Sequence, residues 1–308
     1  MRNHYAASSR SIPRRLGSLI VATVAALVAV TPAFAQREGQ IFASVTDQAG
    51  EPVLDLTADS FQVQEDGETM IMLSADPGST PMKIAVLVDN SEAMAQANGI
   101  SSLRNALTEF LNVLPPQHQV GMFSIAGSVL PIKDFTTDRD ELRKAADGVF
   151  PGSGGAKMIE GLRETWERRF EPEDAWPVIF MVLTDGPETS GNMNPDQFNA
   201  FVRELVVNGA MVHAVMLETR GGSGVQSQIS DILVKNTGGL FRSMNSPSAL
   251  VETLGDFATK MGEHFDNMTP RYRLRFRRPG DTPGTQMGAA IVGNYRLQLF
   301  GERRMPQQ

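Results

Sequence analysis

The middle of the chain alternates short apolar runs with longer segments in which apolar residues recur at helical spacing. Residues 84–88 and 178–183 are uninterrupted apolar runs with several β-branched members, which predicts strands buried on both faces. Helices are predicted near residues 103–114, 138–146, 158–166, 198–205, 225–235 and 248–264, and further strands at 120–125, 129–135, 211–216 and 239–242. This order predicts an α/β fold with a doubly wound, mostly parallel sheet that helices cover on both faces.

Both ends of the chain show the alternating pattern of strands instead. Strands are predicted at 40–46, 62–64, 69–73, 272–276 and 295–299, with a hairpin turn at 65–67, a linker at 76–81 and a loop at 279–287. We expect the carboxyl-terminal strands to pair with the amino-terminal ones, so that both chain ends build one small β-module. The predicted organisation is an amino-terminal module at 36–80, the α/β domain at 81–268 and the carboxyl-terminal strands at 269–308.

The first 35 residues have the pattern of a signal peptide for export. Four arginines near the start precede an apolar stretch at 16–30, and Ala33-Phe34-Ala35 forms an A-x-A cleavage site before Gln36. An uncleaved membrane anchor is the alternative, but the apolar stretch is short for a membrane span. We therefore expect residues 1–35 to be removed, leaving a periplasmic or secreted protein with no membrane span.

Charge and cysteine content exclude several classes of function. The chain has 28 basic and 35 acidic residues, and without its first 35 residues, which hold four basic and no acidic residues, the net charge falls from −7 to −11. An acidic surface does not suit nucleic acid, which proteins bind by neutralising phosphates. The absence of cysteine excludes disulfides, thiol catalysis and cysteine-ligated metals, and it fits a bacterial-type export route.

Acidic and hydroxyl side chains follow the two apolar strands at the point where each strand ends. Asp89 and Ser91 come directly after the run at 84–88, and Asp185 follows the run at 178–183. Open α/β sheets bind ligands outside the carboxyl ends of their strands, so we expect these side chains to share a site. Because neighbouring carboxylates repel each other, the pair needs a cation, a shared proton or a positive group of a partner. The simpler alternative is that Asp89 only caps the following helix.

These residues also carry a family resemblance. The pattern Asp89-x-Ser91-x-Ala93, with Leu-Thr-Asp-Gly at 183–186 and a glycine loop and helix at 154–162, resembles the von Willebrand factor type A (VWFA) domain. The segment around 45–67 is similar to the one that precedes this domain in an acidobacterial VWFA-related subgroup. The resemblance implies a VWA-like, Rossmann-type α/β fold and a protein-binding function of the adhesion type.

The resemblance also implies a metal site. Members of the family usually bind a divalent cation through Asp-x-Ser-x-Ser, a threonine of the second loop and an aspartate of the third, and an acidic group of the partner protein completes the shell. Asp89, Ser91 and Asp185 match these ligands, whereas Ala93 and Ala156 replace a serine and the threonine. The implied site is a degenerate metal-ion-dependent adhesion site, in which Mg²⁺ is bound weakly and water replaces the missing hydroxyls.

Lys157 offers a second way to balance the aspartates. It follows Ala156 at the start of the predicted helix at 158–166, beside the same edge of the sheet. Its ammonium group could take the place of the cation, and the alternative is a lysine that points into solvent.

Catalytic patterns are incomplete in this sequence. A strand-end aspartate such as Asp89 is the nucleophile of some phosphatases, but that chemistry needs an acid two residues later, where Ser91 stands. His213 lies in an apolar strand, which favours a hydrogen-bonded core residue over a catalyst. We therefore predict an exported, non-enzymatic protein that binds an unidentified protein partner around Asp89, Ser91 and Asp185. A phosphoryl-transfer hydrolase that uses Asp89 and a metal-free structural or assembly module are the alternatives.

Overall fold

The computed structural model describes residues 38–170, 175–191, 194–219, 222–280, 284–300 and 304–305. Its strands are β1 (Glu38–Thr46), β2 (Phe61–Glu65), β3 (Glu68–Thr69), β4 (Ile71–Pro77), β5 (Met82–Val88), β6 (Gln119–Ser124), β7 (Leu130–Thr136), β8 (Trp176–Thr184), β9 (Met211–Leu217), β10 (Phe241–Met244), β11 (Arg271–Arg277), β12 (Met287–Ile291) and β13 (Arg296–Phe300). Its α-helices are α1 (Glu92–Gln96), α2 (Ile100–Val113), α3 (Arg139–Asp147), α4 (Met158–Arg169), α5 (Pro195–Val207), α6 (Val225–Thr237) and α7 (Ala249–Met268). The predicted signal peptide lies outside the described residues.

A six-stranded sheet forms the centre of the larger part of the fold. Its strands lie in the order β10-β9-β8-β5-β6-β7. Neighbouring strands are parallel except β6 and β7, which pair antiparallel at one edge. The mostly parallel sheet predicted from the apolar runs is therefore confirmed.

Helices cover both faces of this sheet, and the side chains of β5 show how. Ile84, Val86 and Val88 point to one core with α2, α3 and α7, whereas Ala85 and Leu87 point to a second core with α4, α5 and α6. This alternation follows from the period of two along a strand. Since both faces are covered, the ends of the strands are the open parts of the sheet, and the carboxyl ends present the candidate site.

Local sequence sets several helix ends. Oδ1 of Asp138 accepts hydrogen bonds from the backbone N–H groups of residues 140 and 141 at the start of α3, which holds the pKa of Asp138 below its usual value. Asn194 and Gln197 form a capping box at the start of α5. Gly238 ends α6 with φ +77°, a conformation that favours glycine.

The remaining strands form a separate antiparallel module from both chain ends. One sheet has the order β13-β1-β11-β4 and the other β12-β2-β3. Their inner faces share an apolar core that includes Val45, Val63 and Leu274. Arg278 joins the two sheets, because it donates to the Glu65 carboxylate on β2 and to the Glu38 carbonyl on β1. The predicted pairing of the terminal strands is confirmed, while the exact domain boundaries stay predictions.

Three local features differ from the sequence analysis. The segment predicted as a linker at 76–81 begins later, because β4 continues to Pro77 and pairs with β11. Strand β12 was not predicted, since its Gly288-Ala289-Ala290 sequence has low strand propensity and it forms by pairing with β2. The short helix α1 was also missed, because five residues are too few to show a helical period.

Within the described residues, no helix combines the length and the apolar character that a membrane span needs.

Candidate functional site

The carboxyl ends of β5 and β8 meet three loops, which we call the first loop (89–91), the second loop (150–157) and the third loop (185–191). Strands β5 and β8 are parallel neighbours, with Val88 opposite Val182. The second loop lies against the first, because the N–H of Gly152 donates to the carbonyl of Asn90 at 2.8 Å. We call this part of the molecule the carboxyl edge.

Asp89 is the most tightly held residue of the carboxyl edge. Its side chain is fully buried. Oδ1 accepts a hydrogen bond from the N–H of Ser91 at 2.9 Å, and Oδ2 accepts from the N–H and the hydroxyl of Thr184 at 2.8 and 2.6 Å. Thr184 is the last residue of β8, so Asp89 ties the ends of the two strands together.

Ser91 is buried beside Asp89, but its hydroxyl is unpaired. The residue is 0% exposed, and its Oγ has no hydrogen-bond partner in the described part of the chain. Buried polar groups are nearly always hydrogen-bonded, and an exception calls for an explanation. A bound ion or a water molecule would satisfy this hydroxyl.

Asp185 follows Thr184 directly and faces a different set of donors. Its Oδ1 accepts hydrogen bonds from the N–H and the hydroxyl of Thr219 at 2.6 and 2.7 Å. A methyl group added at Gly222 would collide with the carboxylate of Asp185, so that glycine allows the close approach. Asp89 and Asp185 thus lie at the ends of neighbouring strands, but a threonine fixes each of them separately.

The second loop carries no side-chain oxygen at the position where the resemblance implies a threonine. Ala156 is buried, and its carbonyl accepts hydrogen bonds from the N–H and the hydroxyl of Thr189 at 2.8 and 3.0 Å. Ala93 stands at the other position where the resemblance implies a hydroxyl. It lies close to Gly186, where an added methyl group would be only 2.6 Å from the Cβ of Ala93. Ala156 therefore lies in close-packed surroundings, whereas Ala93 is half-buried.

The third loop caps helix α4, a contact that sequence reasoning missed. The Glu188 carboxylate accepts from the N–H of Met158 at 3.0 Å, and the Ser190 hydroxyl accepts from the N–H of Glu160 at 3.0 Å. Acidic and hydroxyl residues are the usual caps of helix N-termini. Glu188 and Ser190 are residue types that often cap helices, but the helix that they cap begins about 30 positions earlier in the chain, so a local pattern does not reveal the contact.

Lys157 pairs with its own helix. Its Nζ lies 3.0 and 3.2 Å from the two carboxylate oxygens of Glu160, and among the described residues it contacts neither Asp89 nor Asp185. Both side chains of the pair are about a quarter exposed. The substitution of this ammonium for a cation therefore stays a prediction.

Two further side chains, those of Asn90 in the first loop and of Glu92 directly after it, contact the second loop. Oε1 of Glu92 accepts from the N–H of Gly154 at 2.9 Å, and the N–H of Glu92 donates to the carbonyl of Gly154 at 3.1 Å. Asn90 accepts from the Ser124 hydroxyl and donates to the carbonyl of Phe150 at 2.7 Å. These contacts give both residues a role that the sequence analysis did not assign.

The fit of a divalent cation is partial. Asp89 and Asp185 supply carboxylates, and the buried, unpaired Ser91 hydroxyl has the chemistry of a ligand. Ala93 and Ala156 supply no side-chain oxygen, and no cluster of three or more acidic or histidine residues among the described positions is arranged to hold a metal. Such a donor set suits a weakly held ion that keeps several waters.

Two buried histidines lie away from the carboxyl edge. Nδ1 of His118 accepts from the N–H of Met82, and Nδ1 of His213 accepts from the N–H of Leu240, both at 3.1 Å. Burial lowers the pKa of His118 to about 4 and that of His213 to about 3. Both rings are therefore neutral at pH 7, and the prediction that His213 is a hydrogen-bonded core residue is confirmed.

A cavity of about 460 Å³ opens beside β10 and the second half of α7. Phe241, Arg242, Phe257 and Lys260 contribute to its walls. Arg242 and Lys260 both pair with Asp256. No residue predicted for the candidate site lines this cavity, which lies near the amino ends of the strands.

Comparison with known proteins finds a family model that matches part of the six-stranded domain. Residues 84–188 match the family model of the von Willebrand factor type A domain. No curated protein matches the chain. Among similar solved structures, a von Willebrand factor type A protein from Catenulispora acidiphila is 10% identical, with a TM-score of 0.49 over 85% of this chain and 72% of that chain.

Two other similar structures come from a bacterium and a mussel. The conserved hypothetical protein BatB from Bacteroides thetaiotaomicron is 15% identical, with a TM-score of 0.47 over 59% of this chain and 99% of that chain. Proximal thread matrix protein 1 from the mussel byssus is 16% identical, with a TM-score of 0.47 over 72% of this chain and 50% of that chain. The chain thus spans half the length of the mussel protein.

Proposed function

We propose that this chain, whose residues 84–188 match the von Willebrand factor type A domain, is an exported, non-enzymatic protein of the adhesion type. It binds another protein at the carboxyl edge, around Asp89, Ser91 and Asp185. The edge holds a degenerate adhesion site, at which Mg²⁺ binds weakly and water fills the positions that lack a hydroxyl. Domains of this family generally mediate protein interactions.

The Ser91 hydroxyl is the observation that carries this proposal. It is buried and unpaired next to Asp89, whose own oxygens already accept three hydrogen bonds. A buried hydroxyl without a partner costs free energy of folding, about 1–3 kcal/mol. The unpaired Ser91 hydroxyl is therefore explained most directly if it binds a ligand when the carboxyl edge performs its function.

Calorimetric titration with MgCl₂ tests the site. Ser91→Ala removes an unpaired hydroxyl, so it leaves the free energy of unfolding unchanged or higher, yet it lowers the affinity for Mg²⁺. Thr165→Val is the matched control, because the Thr165 hydroxyl is also buried and unpaired among the described residues, but lies well inside α4. Equal Mg²⁺ affinities of the wild type and Ser91→Ala would contradict the proposed site.

Binding of a protein at the edge is tested by blocking it. Ser153→Arg places a long charged side chain on an exposed position of the second loop, and Val207→Arg does the same at the end of α5, near the amino ends of the strands. Ser153→Arg should no longer capture the proteins that the wild type captures from an envelope extract. Val207→Arg should still capture them. Retention by both variants would refute binding at this edge.

Export rests on the pattern of the first 35 residues. The exported protein begins at Gln36, because the A-x-A site lies immediately before it. Intact-mass measurement of the protein recovered from the envelope checks this start. A mass that includes residues 1–35 would refute cleavage.

A metal-free structural or assembly module is the second candidate. Direct hydrogen bonds between the loops, such as those from Glu92 to Gly154 and from Thr184 to Asp89, hold the edge together without a cation. This candidate predicts no Mg²⁺ binding and no loss of captured proteins in Ser153→Arg. The hydrolase alternative has less support, because Asp89 is buried and both its oxygens accept hydrogen bonds. Turnover of a phosphomonoester that disappears in Asp89→Asn would revive it.

A further inference from the structure

Two exposed apolar side chains stand out at the carboxyl edge. Among the large apolar residues described in the six-stranded domain, Phe150 and Leu130 have the highest exposed fractions, 67% and 57%. Phe150 lies in the second loop. Leu130 begins β7 opposite Ser124, the last residue of β6, and so lies at the carboxyl end of that strand. Exposed apolar groups in solvent forgo the free energy that burial would give, and a cluster of them marks an interaction surface.

The segments that carry these side chains pack together. A methyl group added at Gly127, in the turn before β7, would lie 2.6 Å from the carbonyl oxygen of Ser153 in the second loop. The N–H of Gly127 also donates to the carbonyl of Gly155 at 3.0 Å. Leu130, which follows this turn, and Phe150, which begins the second loop, are therefore carried by two segments that contact each other.

The backbone of Phe150 is fixed by the first loop. Nδ2 of Asn90 donates to the carbonyl of Phe150 at 2.7 Å, and the carbonyl of Asn90 accepts from the N–H of Gly152 at 2.8 Å. Asn90 lies between the two candidate ligands of the first loop. The backbone that carries the aromatic ring is thus held in place before any partner binds, which lowers the entropic cost of binding.

Arg104 fixes the ring and adds a charge. Its guanidinium carbon lies 4.9 Å from the centroid of the Phe150 ring, and its Nε donates to the carbonyl of Val149 at 2.6 Å. Within the described residues Arg104 forms no salt bridge, so the outer nitrogens of the guanidinium are available to an acceptor. An aromatic ring stacked on an arginine is typical of the residues that contribute most to protein interfaces.

We propose that Phe150 is the anchor by which this chain binds its protein partner, with the ring entering an apolar pocket of the partner and Arg104 pairing with a carboxylate at the rim of that pocket. Leu130 contacts the apolar surface beside the pocket. The inference rests on the proposed function, since it states which chemical groups the protein partner presents to the carboxyl edge. It does not depend on a metal ion.

A protein fits this surface better than a membrane does. Anionic lipid surfaces attract clusters of lysine and arginine, whereas the described part of this edge presents Glu92, Asp185 and Glu188 beside Arg104 and Lys157, and Lys157 is already paired with Glu160. The chain as a whole carries a net charge of −7. A pocket with one carboxylate at its rim satisfies both the ring and the guanidinium.

Photo-crosslinking on the full chain tests the anchor. Phe150, Ser153 or Val207 is replaced by p-benzoylphenylalanine, and each protein is irradiated with an envelope extract of the cells that produce it. We expect a protein adduct at 150 and none at 207, which is 51% exposed at the far end of α5 and serves as the matched control. Mass spectrometry identifies the adduct.

Affinities for the purified partner then measure the contribution of each side chain. Phe150→Ala should raise the Kd about 30-fold or more, as truncation of a central aromatic residue does. Arg104→Gln should raise it about tenfold, with a smaller effect at high salt. Val207→Ala should leave the Kd unchanged, and circular dichroism should find all three variants folded, because none of them alters a buried side chain.

The outcomes separate the anchor from the proposed function. A protein adduct at 153 without one at 150, or an unchanged Kd in Phe150→Ala, overturns the anchor and leaves protein binding at the edge intact. No protein adduct at either position overturns both. An adduct at 150 that consists of lipid or of a second copy of this chain overturns the anchor in favour of membrane binding or self-association.

Discussion

Thr184→Val should lower the stability of the domain more than its conservative chemistry suggests. The Thr184 hydroxyl donates to Oδ2 of Asp89 at 2.6 Å, and both residues are fully buried. Valine keeps the shape and the β-branching of threonine, so the substitution removes this hydrogen bond with little change in packing. A hydrogen bond to a charged group contributes about 1.5–3 kcal/mol, and at a buried carboxylate no water replaces it. We expect a loss of about 2 kcal/mol in the free energy of unfolding.

Thr219→Val is the matched control. The Thr219 hydroxyl donates to Oδ1 of Asp185 at 2.7 Å, which is the same chemistry at nearly the same distance. Asp185 is only partly buried, so water can replace the lost donor. The expected loss is about 0.5–1 kcal/mol.

Equilibrium unfolding in guanidinium chloride, followed by circular dichroism, measures both variants. At about 2–4 °C per kcal/mol, Thr184→Val should also lower the Tm by about 4–8 °C. Equal losses in the two variants, or no loss in Thr184→Val, would refute the argument that burial makes the Asp89 contact the stronger one.

Three further predictions follow from the contacts of the site and of the buried histidine. Ala93→Ser combined with Ala156→Thr restores two hydroxyls, so calorimetry should find tighter Mg²⁺ binding than in the wild type; no gain, or tight binding by the wild type, would contradict the degenerate site. Lys157→Met should lower the free energy of unfolding by less than about 1 kcal/mol, because the pair with Glu160 is partly exposed, and the loss should vanish in a Glu160→Gln background. If Lys157→Met still lowers the free energy of unfolding in the Glu160→Gln background, the Lys157 ammonium balances carboxylates other than Glu160, as the sequence pattern suggests. The pKa of His118 is about 4 in the folded protein and 6.5 in an ordinary histidine. Between these two pH values the unfolded chain binds a proton that the folded protein does not, so the free energy of unfolding decreases as the pH falls from 6.5 to 4. His118→Gln should reduce the pH slope of the unfolding free energy, measured by denaturant titration between about pH 6 and 4.5, by about 1 kcal/mol per pH unit, and an unchanged slope would contradict the neutral buried ring.

The fold of the six-stranded domain could be predicted because its signals are local. Uninterrupted apolar runs such as 178–183 mark strands buried on both faces, and the structure places β8 there with every residue from 178 to 184 buried. Strand β12 could not be predicted in this way. Its small residues have no intrinsic preference for a strand, and only the pairing with β2 makes them extended.

The candidate site could be predicted only in part, for a related reason. Asp89, Ser91 and Asp185 follow their strands directly, so their place at the carboxyl edge comes from local sequence. The donors that fix the two aspartates are Thr184 and Thr219, which lie 95 and 34 positions from the residues they hold. Which oxygen accepts from which donor depends on the loops of three separate strands, and a local pattern does not contain that information.

The contacts between the loops also decide what a cation at this edge could do. Thr184, which directly precedes the third loop, donates to Asp89 of the first loop. Glu92, which directly follows the first loop, contacts Gly154 of the second, and Glu188 of the third loop caps the helix after the second. Protein groups thus already make the connections that an ion bound by all three loops would supply. An ion held mainly by Asp89 and the unpaired hydroxyl beside it adds little to the stability of the fold, and its effect falls on the binding of a partner that completes its shell. It follows that the Tm should be nearly the same with Mg²⁺ and with a chelator, while partner affinity differs between the two conditions. A large rise of the Tm with Mg²⁺ would show instead that the ion is a structural element of the edge.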